Sequence, residues 1–306
     1  MKRVLTAAVL VPVVLLAVYN APWWLFDLLV VAIIILALYE YLAIAEAAGL
    51  KPFKWPAYVL AVAPIFLSMY WRWRGRDLPF ESGFLLADNW GKVIALAAII
   101  FGIPLVFRKD LKMGLASVAS SLFGILYVGL SLSLLVSLRL DFSVDLIVFL
   151  LFSVWAGDIA AYYVGKSIGK HKLAPVVSPN KSWEGAIASV IGSIGVGLLI
   201  MHFRPQLFNF VEILEGVSKQ HRELFSRLVG PVSPIHAVSL GILTNVAAQF
   251  GDLFESALKR GAGVKDSGKL LPGHGGILDR IDALLFAIPV VWYYATQTGL
   301  LLKIQE

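Results

Sequence analysis

From Ser256 to Asp282 the chain reads SALKRGAGVKDSGKLLPGHGGILDRID. These 27 residues hold eight charged side chains, six glycines and a histidine, within a sequence that is otherwise mostly apolar. Lys259, Arg260, Lys265, Lys269 and Arg280 are the cations, and Asp266, Asp279 and Asp282 the anions. Ammonium and guanidinium groups bind phosphate oxygens through charge-assisted hydrogen bonds. Carboxylates with no evident ion-pairing duty suit a hard divalent cation. Glycines let backbone N–H groups come close to a phosphate. Such a stretch describes a site for a metal and a polyphosphate.

Asp279 and Asp282 lie three residues apart, so on a helix they share one face at the entrance of the last apolar segment. An ionised side chain costs on the order of 2.5–3.5 kcal/mol at the centre of a membrane helix and less near the interface, so the pair needs a compensating cation. A metal would serve, and so would Arg280 and nearby lysines acting as interfacial anchors. Asp252 and Glu255 repeat the spacing at the end of the preceding apolar segment. Glu255 and Lys259 form an i, i+4 pair in the helix-favouring order, whereas Ser256 occupies that offset from Asp252. Asp252 is therefore the stronger metal candidate, and Glu255 stays open between metal and ion pair. His274 can donate to a phosphate oxygen or shuttle a proton. A phosphate nucleophile is already ionised near neutrality, so the chemistry demands no base.

A second polar stretch, residues 165–185, reads GKSIGKHKLAPVVSPNKSWEG. Gly165-Lys166-Ser167 ends like a P-loop, but Ala160 stands where the first glycine belongs, in an apolar helical run and not after a strand. Ser182 followed by Gly185 can cap a helix, and Asn180 and Lys181 can contact base, ribose or phosphate. Asp158 sits about two turns before the end of its apolar segment. An intramembrane carboxylate is a functional candidate by default; the plain alternative is a hydrogen bond from Tyr162, one turn on.

Both stretches resemble the phosphatidate cytidylyltransferase (CDP-diacylglycerol synthase) family. Its C-terminal motif stands here as Ser256, Lys259-Arg260, Lys265-Asp266, Pro272, His274-Gly275-Gly276, Asp279-Arg280 and Asp282. Its other block stands as Ser178-Pro179-Asn180-Lys181-Ser182-Trp183-Glu184-Gly185, with Ser182 where threonine is also common, and the family carries an aspartate at Asp158. The resemblance implies a reaction of phospholipid biosynthesis: CTP plus phosphatidate gives CDP-diacylglycerol plus pyrophosphate. It implies Mg²⁺, with room for a second cation, held by Asp252, Asp279 and Asp282. Lys259, Arg260, Lys265, Asp266, His274 and Arg280 are then the catalytic set, and Asp158, Ser178, Asn180, Lys181 and Ser256 bind substrate. Cytidine and phosphatidate come from the resemblance alone. Transfer to another lipid phosphate stays open, as does a secondary transporter with intramembrane aspartates, although no related halves with broken helices stand out. A CDP-alcohol phosphotransferase is disfavoured, because its Asp-Gly-x-x-Ala-Arg opening is missing.

The elements that must position these residues are membrane helices. The chain of 306 residues is 59% hydrophobic and only 15% charged, against about 25% charged in soluble domains, and its mean hydropathy is +0.81. Apolar runs this long and unbroken predict an all-α, polytopic integral membrane protein, not a barrel. About nine spans are expected, near 4–19, 23–45, 55–71, 91–107, 114–138, 144–164, 185–203, 234–250 and 281–299, with kinks at Pro12, Pro64 and Pro104. Met1-Lys2-Arg3 and the apolar run behind it imitate a secretory signal, but Tyr19-Asn20-Ala21-Pro22 offers no cleavage site, so the run reads as a retained first helix. One continuous membrane domain is expected, with an N-terminal region 1–140 and a catalytic region 141–306.

Alternate loops carry 16 and 10 Lys or Arg residues, which places the N-terminus in the cytoplasm and the C-terminus outside. Both chemically interesting loops then face the cytoplasm of the cell membrane, at the ends of the C-terminal spans, where nucleotides are found. The net charge of +6 is accounted for by loop cations facing anionic headgroups, so membrane lipids and not nucleic acid are the expected partners. Cysteine is absent, which excludes disulfides and thiolate chemistry. Segment 204–233 reads as an amphipathic helix outside the membrane, either a solvated connection or a homodimer element.

Overall fold

A computed structural model describes residues 2–74, 82–142, 144–214, 233–268 and 275–300. Each expected apolar segment falls on a helix. These are α1 (Lys2–Asn20), α2 (Trp23–Ala47), α3 (Lys54–Trp73) and α4 (Ser82–Val106). Next, α5 (Leu111–Gly124) runs through a π-helical turn (Ile125–Leu130) into α6 (Ser131–Asp141), followed by α7 (Val144–Ile168). The last three are α8 (Trp183–Leu214), α9 (Pro234–Gly261) and α10 (Leu278–Thr298). Among the described residues, six helices are long and apolar enough to cross a membrane. Helix is the natural outcome, since lipid offers no partner to a free backbone N–H or C=O. The protein is thus an all-α, multi-pass membrane protein.

Ile34, Leu38 and Leu42 form a fully buried stripe on α2 at helical spacing. That helix packs on α3, α5, α6 and α10. The C-terminal half is built on the pairs α7–α8 and α9–α10, with α8 also lying against α9. A polar tie joins three of them: Asn245 Nδ2 donates to Ser189 Oγ (2.9 Å) and Ser193 Oγ (2.7 Å), and Gln249 Nε2 to Asn245 Oδ1 (2.6 Å). Ser193 Oγ in turn donates to the Ser153 carbonyl (2.6 Å). Interhelical hydrogen bonds of this kind stabilise membrane bundles by about 0.6 kcal/mol each. Gly192 and Gly197 sit against Ala160 and Phe149 of α7, as close helix packing requires, whereas Gly195 faces open space.

Two features depart from the sequence reading. Residues Lys172–Ala174 (β1) and Ser178–Ser182 (β2) form an antiparallel hairpin, with Lys172 opposite Ser182. The hairpin is latched to α8 by Glu184, whose Oε1 lies 2.7 Å from His171 Nδ1. Also, α8 continues past the expected end of its span to Leu214, which takes in the first part of segment 204–233. Residues 215–232 lie outside the described residues, so the reading of that segment as an external amphipathic helix is not tested there.

Candidate active site

The ends of α7, α8, α9 and α10, with the hairpin and the loop before α10, enclose a cavity of about 1300 Å³. Asp158 enters it from α7, Asn180 and Lys181 from β2, and Asp252 and Lys259 from α9. The loop supplies Asp266, and the first turns of α10 supply Asp279, Arg280 and Asp282. Two stretches that are remote in sequence therefore share one wall. An ion pair draws them together, from Lys181 Nζ to Oδ2 of Asp252, one helical turn before the second stretch on α9, at 2.5 Å. So Asp252, which lacks a partner at i+4 on its own helix, takes one from the hairpin.

Not every expected site residue lines this space. Ser178, Ser256, Arg260 and Lys265 stand outside the lining; Lys265 is exposed, and Arg260 Nη1 is 3.5 Å from the Val264 carbonyl. His274, Lys269 and Pro272 lie outside the described residues. Gly165-Lys166-Ser167 forms the end of α7, in keeping with the rejected P-loop. Ser182 caps α8, its hydroxyl accepting from Gly185 N at 3.2 Å. Tyr162 is 61% exposed, and Lys166 Nζ sits 5.7 Å from its ring.

The carboxylates fall into two groups. Asp158, Asp252 and Asp282 face the same space closely enough to repel one another, with Lys181 and Lys259 as the nearest offsets. Gly251 permits this, because a Cβ there would stand 3.2 Å from Ala283 Cα and Phe286 Cβ, holding α9 away from α10. Asp279 belongs to a different set. Its Oδ1 accepts from Lys259 Nζ (2.5 Å), and its Oδ2 accepts from Ser267 N (3.1 Å) and Gly276 N (2.8 Å). The turn that brings Gly276 there passes through Gly275 at φ +79°, a left-handed conformation that favours glycine. Lys259 also lies 2.6 Å from Oε2 of Glu255, which is fully buried. This is the i, i+4 pair read from the sequence.

Two residues of the N-terminal half reach this region without any motif to announce them. Glu40 on α2 is buried and accepts from Ser267 Oγ (2.9 Å), Ile277 N (3.0 Å) and Leu278 N (2.8 Å). The signal that singles out Asp158, a carboxylate inside an apolar segment, is present at Tyr39-Glu40-Tyr41 as well. Tyr127 rides on the π-helical turn, and its buried hydroxyl has no hydrogen-bond partner among the described residues.

Among the described residues no three His, Asp or Glu side chains form a ready-made metal cage. The donor chemistry nevertheless suits Mg²⁺, which takes one or two carboxylates and fills its remaining positions with water and substrate phosphates. Three clustered, mutually repelling carboxylates beside a polar cavity meet that need.

Residues 1–297 match the cytidylyltransferase family. A Brucella suis protein named phosphatidate cytidylyltransferase is 36% identical over 215 residues, which is 70% of this chain and 69% of the relative. A Staphylococcus saprophyticus protein of the same name is 35% identical over 215 residues, 70% of this chain and 72% of the relative. A Haemophilus influenzae protein, also so named, is 30% identical over 305 residues, 96% of this chain and 97% of the relative. That last likeness runs through the N-terminal half, where no motif is visible.

Proposed function

The chain belongs to the cytidylyltransferase family, and from that premise we propose how its cavity does the chemistry. The protein is a membrane-embedded nucleotidyltransferase that joins CTP and phosphatidate to give CDP-diacylglycerol and pyrophosphate. One observation carries the assignment to this cavity: both signature stretches line it, and Lys181 of the first pairs there with Asp252, one helical turn before the second.

A phosphate oxygen of phosphatidate attacks the α-phosphorus of CTP. The bond from that phosphorus to the β-bridging oxygen breaks, and pyrophosphate leaves with the electron pair. No residue has to remove a proton, because the nucleophile is already an anion. Lys181, Lys259 and Arg280 line the cavity with positive charge, which holds the triphosphate in line and stabilises charge developing in the transition state. Asp252 and Asp282 would hold Mg²⁺, with Asp158 beside them available to a second cation. When bound there, Mg²⁺ would neutralise charge on the triphosphate and on the leaving pyrophosphate. Asp279, already accepting three hydrogen bonds, fixes Lys259 and the loop. Asn180, at the mouth of the hairpin, contacts the nucleotide.

Chelating the divalent metal is expected to abolish product formation, and added Mg²⁺ to restore it. Full turnover in the presence of excess chelator would remove the metal from this account.

The cavity opens to the cytoplasm, a reading supported by the excess of Lys and Arg in the loops on its side. Because the chain has no cysteine, one thiol can be introduced without background. Exposed Lys170, beside the hairpin, is the natural place. A membrane-impermeant maleimide is expected to label Lys170→Cys in inverted inner-membrane vesicles and not in intact spheroplasts. The reverse pattern would put the site outside.

A further inference from the structure

We propose that Glu40 is a positioning residue for cytidylyl transfer, holding the signature loop and the start of α10 so that Asp266, Asp279 and Arg280 face the cavity. The inference rests on the functional reading above. It assigns a role in the reaction to the N-terminal half of the chain.

A carboxylate at 3% exposure within a membrane helix is costly unless it is well partnered. Among the described residues Glu40 is partnered by Ser267 Oγ, Ile277 N and Leu278 N. The two amides belong to the start of α10, where N–H groups have no intrahelical acceptor and the helix dipole favours an anion. A helix N-terminus is otherwise a ready phosphate site. Here Glu40 fills it, so substrate phosphates are left to the side-chain cations.

The contact is relayed inward. Ser267 Oγ donates to Glu40 and accepts from Asp279 N at 3.3 Å, while Ser267 N donates to Asp279 Oδ2. Asp279 in turn holds Lys259. Backbone packing points the same way, since a Cβ on either Gly268 or Gly276 would run into the Glu40 carboxyl group. The described ends of the loop, at Gly268 and Gly276, close around this one side chain. Gly268, Gly275 and Asp279, which flank those contacts, line the cavity.

The test uses the full chain purified in detergent, as wild type, Glu40→Gln and Glu40→Ala. Glutamine keeps one acceptor oxygen: in the Oε2 position it still accepts from Leu278 and Ser267 while its amide faces Ile277 N, and in the Oε1 position it accepts from Ile277 while its amide faces Leu278 N. Alanine loses all three. For Glu40→Ala the expected loss in kcat is roughly 10- to 100-fold, as for partners that orient a reacting group from behind. KM for CTP should move less, by under about 3-fold, because Lys181 on the hairpin does not depend on Glu40 and still binds the triphosphate. Glu40→Gln should fall between wild type and alanine. Amide hydrogen exchange at Ile277 and Leu278 should accelerate in the same order, with the thermal melting transition retained.

Wild-type kcat in Glu40→Ala would overturn the proposal. So would a kcat loss that follows only the fraction of folded protein, with glutamine no better than alanine. Exchange does not depend on the reaction. If the wild type transferred no cytidylyl group, the functional reading would fail, and unchanged protection of the two amides in Glu40→Ala would still overturn the tether by itself.

Discussion

Replacing Asp279 with asparagine is expected to lower cytidylyl transfer by about 100-fold or more, a loss comparable to removing a preorganised charge-stabilising group, while the protein stays folded and inserted in the membrane. The carboxylate serves two clients at once. Oδ1 takes Lys259, and Oδ2 takes the amides of Ser267 and Gly276. An asparagine has only one acceptor oxygen. If that oxygen stays with the two amides, the NH₂ group faces the Lys259 ammonium, donor against donor. If it turns to Lys259, the loop loses its anchor. Either way the cation or the backbone that carries Asp266 and Gly275 leaves its place in the cavity. The bulk of the fold does not rest on this residue, since α10 buries Leu285, Ile288 and Val291 independently of it. Label incorporation from CTP, beside size-exclusion chromatography and a melting curve, separates the two effects. Near-wild-type turnover would show that Asp279 organises nothing the reaction needs.

Lys259→Met is expected to damage both stability and turnover. Lysine is the common cation of Glu255 and Asp279, at 2.6 and 2.5 Å. Methionine preserves much of the aliphatic stem and removes the charge. Glu255, with a side chain 0% exposed, then lacks its cation, a change that costs about 3–5 kcal/mol when a buried pair is broken from one side. The double variant Glu255→Gln/Lys259→Met should recover most of the melting temperature, because the stranded charge is gone. It should not recover turnover, because Asp279 and the substrate phosphates still lack the cation. Equal stability of the single and double variants would refute the buried-pair argument. Recovery of turnover in the double variant would remove Lys259 from the phosphate-binding set.

The helices were legible because each apolar run is long and uninterrupted, and the site because its charged residues interrupt that pattern. Asp158, Lys181, Asp252, Asp266, Asp279 and Asp282 reach one cavity for that reason. Arg260 and Lys265 belong to the same stretch but point elsewhere. Glycine-broken backbone has no fixed period, so spacing cannot say which of its side chains turn inward. The hairpin escaped notice because strands of three and five residues around Pro175 and Pro179 are too short to alternate. Glu40 escaped because its meaning lies in its partners. Ile277 is 237 residues away, and no local pattern encodes that pairing. The ion pair between Lys181 and Asp252 is hidden in the same way: the sequence marks both residues and leaves their meeting to the fold.

The most direct test of the account follows two phosphates of one substrate. Purified protein is given phosphatidate, Mg²⁺ and CTP radiolabelled at either the α- or the γ-phosphate, and lipid and aqueous phases are counted separately. Cytidylyl transfer predicts that the α label enters the lipid phase and the γ label stays in water as pyrophosphate. Label from the γ position in the lipid, or no lipid label from folded protein, would contradict it.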